Sequence, residues 1–145
     1  MSAISLSISL PRTSAVVWEE LRHIERHVEW MNDAVSITFL SEQRSGVGTS
    51  FSCLTKVGPF TTRDVMRVTR WEEGRVMGVA HGGLISGEGV FLLHANEHST
   101  VMTWQEHLHF PWWVGGRLSA AIIAPVLRII WRKNLQNFRT QLLRP

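Results

Sequence analysis

Three titratable residues lie in strand-like segments in which every second residue is apolar. Glu106 alternates with Trp104 and Leu108, and Asp64 and His81 occupy similar positions in two earlier segments. Residues two apart in a β-strand point to the same face, so each of these side chains is predicted to point toward an apolar interior. An isolated charge is costly to bury, so such a carboxylate is paired, protonated or poised for proton transfer. Glu106, His81 and Asp64 are therefore the candidate catalytic residues for general acid–base chemistry.

Glu106 also has structural explanations, which the sequence favours over catalysis. The carboxylate could pair with an arginine such as Arg67 or Arg117, or lie at a wet cavity mouth, and structural ion pairs also perturb carboxylates. A lone inward histidine such as His81 is more often a hydrogen-bonded core or rim residue than a catalyst. The sequence leaves open whether Asp64, His81 and Glu106 are close in space.

Other kinds of chemistry have less support. Cys53 is the only cysteine, which excludes an internal disulfide and a multi-cysteine metal site. A lone cysteine in a strand behaves mostly as a small hydrophobe. Histidine pairs occur at 107 and 109 and at 94 and 98, but neither has a convincing set of further ligands. We therefore expect no metal site and no cofactor.

The apolar and aromatic side chains near Glu106 are candidate ligand-binding residues. Aromatic walls favour planar or polycyclic ligands, and an indole N–H can donate a hydrogen bond to a carbonyl group. The alternative is that these side chains are core and hinge packing, the usual role of large aromatics. The expected lining is Trp104, Met102, Leu108, Phe110, Phe51, Met77, Trp112, Trp113, Leu118 and Ile122.

At the start of the chain, the residue pattern predicts one strand followed by two short helices. From Met1 to Pro11 apolar residues alternate with serines, which indicates a strand and not a secretory signal. Ser14 can cap a helix that extends through Ile24. A second short helix is predicted from about Glu25 to Met31.

After residue 34 the apolar period changes from helical to two. Val35, Ile37 and Phe39 are predicted to share one face of the first strand of this region. Short joints rich in turn residues separate the later strands, and joints this short force antiparallel neighbours. The predicted joints are Arg44 to Gly48, Val57 to Phe60, Glu72 to Arg75 and Asn96 to Ser99.

Four glycines occur from residue 82 to residue 89, at the joint between two predicted strands. They could form a hairpin loop, a kink in a curved strand or a flexible lip. We expect strands near 75–82 and 85–95 on either side of a bend, because a sheet that wraps around a helix needs sharp curvature.

A long helix is predicted from about Pro111 to Leu143. Its second half carries an apolar stripe at helical spacing, formed by Leu127, Trp131, Leu135, Phe138 and Leu142. The segment Leu118 to Val126 is apolar all round, which predicts burial on more than one side. It could roof a cavity, meet a second subunit in a homodimer or touch a membrane. Pro125 is expected to bend the helix.

The charge pattern restricts the classes of partner. The net charge is +3, and Glu106 is the last acidic residue, although six basic residues follow it. Such a helix could lie on an anionic membrane, but its cations are spread along it, so we favour a solvated face that complements the helix dipole. The sequence contains no nucleic-acid-binding motif. The apolar segment Leu118 to Trp131 is shorter than the ~20 residues of a spanning helix, and we expect a cytoplasmic protein.

Together these segments resemble the START-related, birch-pollen-allergen-like superfamily (SRPBCC), and within it the bacterial polyketide cyclase/dehydrase-like branch. The resemblance covers nearly the whole chain, including the alternating first strand, the strand Arg63 to Trp71 with its following turn, and the long C-terminal helix. The individual matching residues are Ser14, Val17, Trp18, Trp30, Gly46, Gly48, Thr49, Phe51, Ser99, Thr100, Val101 and Trp104.

The resemblance implies an α+β helix-grip fold in a single domain that spans residues 1–145. A curved, seven-stranded antiparallel sheet would wrap around the long C-terminal helix, with two short helices between strands 1 and 2, and would enclose an apolar pocket. Relatives bind lipids, sterols, hormones and polyketides, and only some are enzymes. Some aromatase/cyclase relatives place tyrosine hydroxyls in the pocket, whereas this chain has no tyrosine.

The predicted function is binding of a small hydrophobic or polycyclic metabolite in an internal apolar cavity. Cyclase or dehydratase chemistry, of the aldol or dehydration type, would use Glu106 assisted by His81 or Asp64. The alternative is a non-catalytic lipid carrier or membrane-docking module that uses Trp112, Trp113 and the basic helix. Fold alone does not decide between them.

Overall fold

The computed structural model describes residues 2–83 and 85–145, apart from the side chains of residues 2, 114 and 120. The described residues form a seven-stranded sheet, a short helix α1 and a long C-terminal helix α2. The strands are β1 Ser2–Leu10, β2 Ala34–Phe39, β3 Ser50–Val57, β4 Phe60–Glu72, β5 Val76–Gly82, β6 Ser86–Ala95 and β7 Thr100–His109. The helices are α1 Ser14–Leu21, a 3-10 helix Ile24–Glu29, a 3-10 turn Trp112–Val114 and α2 Gly116–Leu142.

The sheet has the strand order β1-β7-β6-β5-β4-β3-β2, and every neighbouring pair is antiparallel. Strands β2 to β7 form a meander, as the short joints predicted, and β1 pairs with the last strand of that meander. The chain between β1 and β2 crosses to the opposite edge of the sheet through α1 and the 3-10 helix. The predicted α+β helix-grip architecture is therefore confirmed.

The concave face of the sheet packs against the second half of α2. The predicted stripe on this helix is confirmed, because Leu127, Trp131, Leu135 and Phe138 are all buried. Trp131 stacks on Trp104 of β7, with ring centroids 4.9 Å apart. The sheet and helix therefore form a filled core at this end of the molecule.

A buried polar cluster also holds α2 in place. Asn134 is fully buried, and its Nδ2 donates a hydrogen bond to Oδ1 of Asp33 at 2.7 Å. Trp131 Nε1 donates to the other carboxylate oxygen at 3.1 Å, and the backbone N–H of Asn32 donates to Oδ1 of Asn134 at 2.9 Å. These directional bonds fix the helix relative to the turn before β2.

Several predicted boundaries are wrong. Helix α1 ends at Leu21, and its N-cap is Thr13, not Ser14, with no side-chain capping bond. Helix α2 begins at Gly116 and not at Pro111, because Gly115 adopts a left-handed backbone with φ of +100° and ends a separate 3-10 turn. The two glycines together redirect the chain between β7 and α2.

The predicted inner face of β2 is wrong at one position. Val35 is 51% exposed, whereas Ala34 is buried and Ile37 and Phe39 pack on the core. The pairing of β2 with β3 shifts register between Ala34 and Ser36. This irregularity inserts Val35 as an extra residue and changes the phase of the alternation.

The first half of α2 also differs from the expectation of burial on several sides. Leu118, Ile122, Val126 and Ile129 are all exposed. Pro125 lies inside the helix, as expected from the sequence. No helix in the described part of the chain is long and apolar enough to cross a membrane.

Candidate functional site

Glu106 lies on the concave face of β7 and contacts two other polar side chains. Its Oε2 is 2.8 Å from Nε2 of His81, and its Oε1 accepts a hydrogen bond of 2.9 Å from Nε1 of Trp104. The side chain of Glu106 is 8% exposed and that of His81 is 14% exposed. The partner of Glu106 is therefore a histidine on β5, and neither of the arginines considered from the sequence.

A gap in the side-chain layer lets these two residues meet across a strand. Glu106 pairs with Gly89 of β6, and Gly89 pairs with Val79 of β5. His81 itself pairs with Gly87. A Cβ atom added at Gly89 would overlap Oε1 of Glu106. The absence of a side chain at Gly89 thus gives the Glu106 carboxylate room to lie over β6 and reach toward β5.

Asp64 lies near His81 on the neighbouring strand β4. Its carboxylate extends over Gly83, since a Cβ atom added there would overlap Oδ1 of Asp64. Burial raises the pKa of Asp64, although the nearby His81 and a hydrogen bond with Thr62 act in the opposite direction. The structure therefore brings all three predicted acid–base residues to one region of the concave face.

Opposing effects set the pKa of His81. Burial lowers the pKa, but the hydrogen bond to Glu106 and the negative charges of Glu106 and Asp64 outweigh burial, so the pKa is raised. At a given pH, a larger fraction of His81 is therefore in the imidazolium form than for an ordinary histidine. In that form Nε2–H donates to Glu106.

The arrangement has the elements of a proton-transfer site. The Glu106 carboxylate lies within hydrogen-bond distance of the His81 ring and accepts from the Trp104 indole, so its oxygens are held in fixed positions. The imidazolium can release a proton and the carboxylate can accept one. The indole N–H orients the carboxylate without exchanging protons with it.

A groove of about 920 Å³ opens between the edge formed by β7 and β1 and the first half of α2. Ile4, the cross-strand partner of Glu106, lies in its wall, and so does Leu108 on the same face of β7. Glu106, His81 and Asp64 are not themselves among the lining residues, so the groove approaches Glu106 through these two neighbours. Its lining residues are Ala3, Ile4, Leu108, His109, Phe110, Trp112, Gly116, Arg117, Ala121, Ala124, Pro125 and Arg128.

The predicted ligand-binding residues occupy three different surroundings. Three of them line the groove: Leu108, Phe110 and Trp112. Four are buried in the packed core: Met102, Met77, Phe51 and Trp104. Three are exposed to solvent: Trp113, Leu118 and Ile122.

Several groove residues were not identified from the sequence. Alternation along β1 places Ile4 on the inner face, but only the pairing of β1 with β7 places it beside Glu106. Ala124 and Arg128 reach the groove because α2 crosses this edge of the sheet. Helical spacing would have grouped these two residues, which are four apart, but it does not identify the strand edge they face.

Residues 2–83 and 85–145 contain no group of three or more His, Cys, Asp or Glu side chains that could hold a metal ion. The histidines at 94, 98, 107 and 109 are exposed. Cys53 is buried, and burial raises the pKa of its thiol.

The sequence matches a known family over nearly its whole length. Residues 1–142 match the family described as polyketide cyclase / dehydrase and lipid transport. The chain belongs to this family. Membership also confirms the START-related superfamily that the sequence resembles. No curated protein matches the chain.

Several solved structures share this fold. Protein TTHA0849 from Thermus thermophilus superposes with a TM-score of 0.84 at 11% identity, covering 98% of this chain and 97% of its own. The Zhui aromatase/cyclase from a Streptomyces species has a TM-score of 0.77 at 12% identity, covering 97% and 93%. A START superfamily protein from Mycobacterium smegmatis has a TM-score of 0.75 at 13% identity, covering 97% and 98%. At these identities the likeness shows the fold alone.

Proposed function

We propose that this protein binds a small hydrophobic or polycyclic metabolite in the groove beside Glu106 and acts on it by acid–base chemistry of the cyclase or dehydratase type. The contact between Glu106 and His81 carries the proposal, because it holds a proton acceptor against a proton donor, and Ile4 and Leu108, the neighbours of Glu106, line the apolar groove. Family membership supports the same class of ligand.

The proposed chemistry begins with enolisation of a ligand carbonyl group. The Glu106 carboxylate removes a proton from the carbon next to the carbonyl, and the C–H electron pair becomes the C=C bond of an enol. The carbonyl oxygen takes a proton from the His81 imidazolium. In an intramolecular aldol closure the enol carbon then attacks a second carbonyl carbon, whose oxygen takes the proton held by Glu106. The enol O–H returns its proton to His81 as the first C=O bond re-forms. Dehydration would then transfer a remaining α-proton to Glu106 while the hydroxyl leaves as water with a proton from His81.

The surroundings of His81 support its role as the acid. Its raised pKa increases the protonated fraction near neutral pH, where a general acid works best. Asp64 provides a second negative charge that stabilises the imidazolium. The chain contains no tyrosine, so phenol groups are not available for this role.

Replacing Glu106 with glutamine tests the proposal. Native mass spectrometry of the purified protein would first identify a bound metabolite, and β-hydroxy ketones and poly-β-ketones would serve as probe substrates. We expect Glu106→Gln to abolish product formation and to leave ligand affinity within a few-fold of wild type, since one acid–base group contributes about 10²–10⁴-fold to rate. Glu88→Gln is the matched control, because Glu88 is the exposed neighbour of Gly89. Wild-type turnover by Glu106→Gln would refute the catalytic role.

A non-catalytic lipid carrier is the second candidate function. The arginines Arg117 and Arg128 in the wall of the apolar groove favour it, because they suit a lipid with an anionic group. For a carrier, Glu106→Gln would leave lipid transfer between vesicles unchanged, and Arg128→Gln would weaken it.

A further inference from the structure

The first half of α2 and the turn before it present a set of exposed apolar side chains. We define the apolar face as Trp112, Trp113, Leu118, Ile122, Val126 and Ile129, whose exposed fractions are 86%, 63%, 69%, 64%, 45% and 69%. The four helical members are three or four residues apart, so they lie along one side of α2. This side is opposite the buried stripe that contains Leu127 and Trp131.

The charges around the apolar face are all positive. Arg132 and Lys133 are exposed at the C-terminal end of the face, and Arg117 and Arg128 are exposed on the side of α2 that lines the groove. No Asp or Glu occurs after residue 106 in the sequence, and the adjoining strand β1 has no charged residue. The face is therefore a hydrophobic surface with a cationic rim, and α2, the turn before it and β1 supply no acidic residue to it.

These charges distinguish between two occupants of the face. In a two-fold dimer formed through it, the cationic rims of both copies would come together without an acidic partner, and like-charge contacts oppose association. An anionic bilayer surface pairs with the same cations and accepts the apolar side chains. Tryptophan is also the side chain enriched at the boundary between lipid and water.

We infer that the apolar face docks this protein onto a membrane surface that carries anionic lipids. Trp112 and Trp113 would enter the headgroup boundary together with the outward side chains of α2, while the rim cations contact lipid phosphates and carboxylates. Trp112 belongs to the face and also lines the groove. Docking would thus bring the groove to the membrane surface, where a hydrophobic ligand can enter from lipid. The inference does not depend on the proposed chemistry.

Vesicle co-sedimentation of the full chain tests this inference. Phosphatidylcholine vesicles with and without phosphatidylserine are the probes, and we expect binding only when phosphatidylserine is present. Each rim cation is expected to strengthen partitioning about fivefold, so Arg132→Gln combined with Lys133→Gln should weaken it about twenty-five-fold. Arg63→Gln combined with Arg67→Gln removes the same charge from exposed positions on β4 and should have a much smaller effect.

Aromatic variants separate insertion from simple charge attraction. Trp112→Ser combined with Trp113→Ser should reduce binding at least tenfold, whereas Phe60→Ser removes an exposed aromatic at the turn between β3 and β4 and should leave binding unchanged. Absence of binding to phosphatidylserine vesicles would overturn the inference, as would equal losses in the control variants.

Sedimentation velocity tests the alternative occupant of the apolar face, a second copy of this chain. We expect a monomer in solution. A dimer that Ile122→Ser disperses would identify the face as a subunit interface and would overturn the assignment to a membrane. Glu106→Gln should bind vesicles like the wild type, so failure of the proposed chemistry and failure of docking can be distinguished.

Discussion

Gly89→Ala should uncouple Glu106 from His81 without removing either side chain. The added Cβ would overlap Oε1 of Glu106, so the carboxylate must move away from its position over β6. The hydrogen bond of 2.8 Å between Glu106 and His81 is then lost. A hydrogen bond to a charged group contributes about 1.5–3 kcal/mol, so we expect a loss of about 2 kcal/mol in the free energy of unfolding.

The matched control for this variant is Gly82→Ala. Among the described residues, a Cβ atom at Gly82 would meet only Val65 O, at 3.8 Å, which is ordinary van der Waals contact. Alanine is favoured over glycine inside a strand by about 0.5–1 kcal/mol, so Gly82→Ala should be neutral or slightly stabilising. The difference between the two variants isolates the displacement of Glu106.

The effect of Gly89→Ala should also depend on pH. In the wild type the pKa of His81 is raised, so its ionisation contributes stability at pH values below its unfolded pKa, and this contribution is lost as pH rises through the folded pKa. Without Glu106, burial dominates and lowers the pKa of His81. The destabilisation should therefore be largest at mildly acidic pH and should shrink as pH rises.

Two measurements check this prediction. Chemical denaturation gives the free energy of unfolding across pH, and NMR titration gives the pKa of His81, with its resonance assigned by comparison with His81→Gln. The reasoning is refuted if Gly89→Ala matches Gly82→Ala in stability and leaves the pKa of His81 at its wild-type value.

Two further predictions concern stability away from the Glu106 site. Asn134→Ala removes the bond to Asp33 and leaves the Asn32 N–H without its acceptor, so urea denaturation should show a loss of about 2–3 kcal/mol in the free energy of unfolding. The control Gln136→Ala, on the exposed side of α2, should change that free energy by less than about 0.5 kcal/mol. Similar losses in both variants would contradict this role of Asn134. His27 is buried, and burial lowers its pKa to about 4 even though Nε2 contacts Leu21 O at 2.7 Å. Its neutral form therefore supports folding above the ordinary pKa of 6.5, and this support, about 3 kcal/mol in full, is lost as pH falls toward 4. The acid-side slope of unfolding free energy against pH should become shallower in His27→Gln, and an unchanged slope would contradict the assignment.

Local periodicity accounts for the correct fold predictions. Alternation along β7 placed Met102, Trp104 and Glu106 on one face, and all three are buried there. Helical spacing likewise identified the buried stripe on α2. Both patterns depend only on the backbone geometry of a single element.

Interruptions of that periodicity account for the errors. The register shift near Val35 changes which side chains face the core, and the left-handed Gly115 separates the 3-10 turn from α2. The apolar segment Leu118 to Val126 was expected to be buried on several sides, but α2 passes the edge of the sheet there and only one side of the helix finds a partner. A hydrophobic pattern indicates that burial of a segment is favourable, but it does not identify a surface that could bury the segment.

The sequence by itself determined the seven strands, the gripping helix and the inward direction of Asp64, His81 and Glu106, because each follows from residue spacing within one element. The tertiary structure alone decided that the carboxylate of Glu106 reaches His81 over Gly89, that Trp104 orients it and that the apolar face of α2 stays uncovered. These contacts join residues from different strands, and their existence depends on strand register and on the path of α2 across the sheet. Register results from the combined packing of the whole core, so no single segment encodes it.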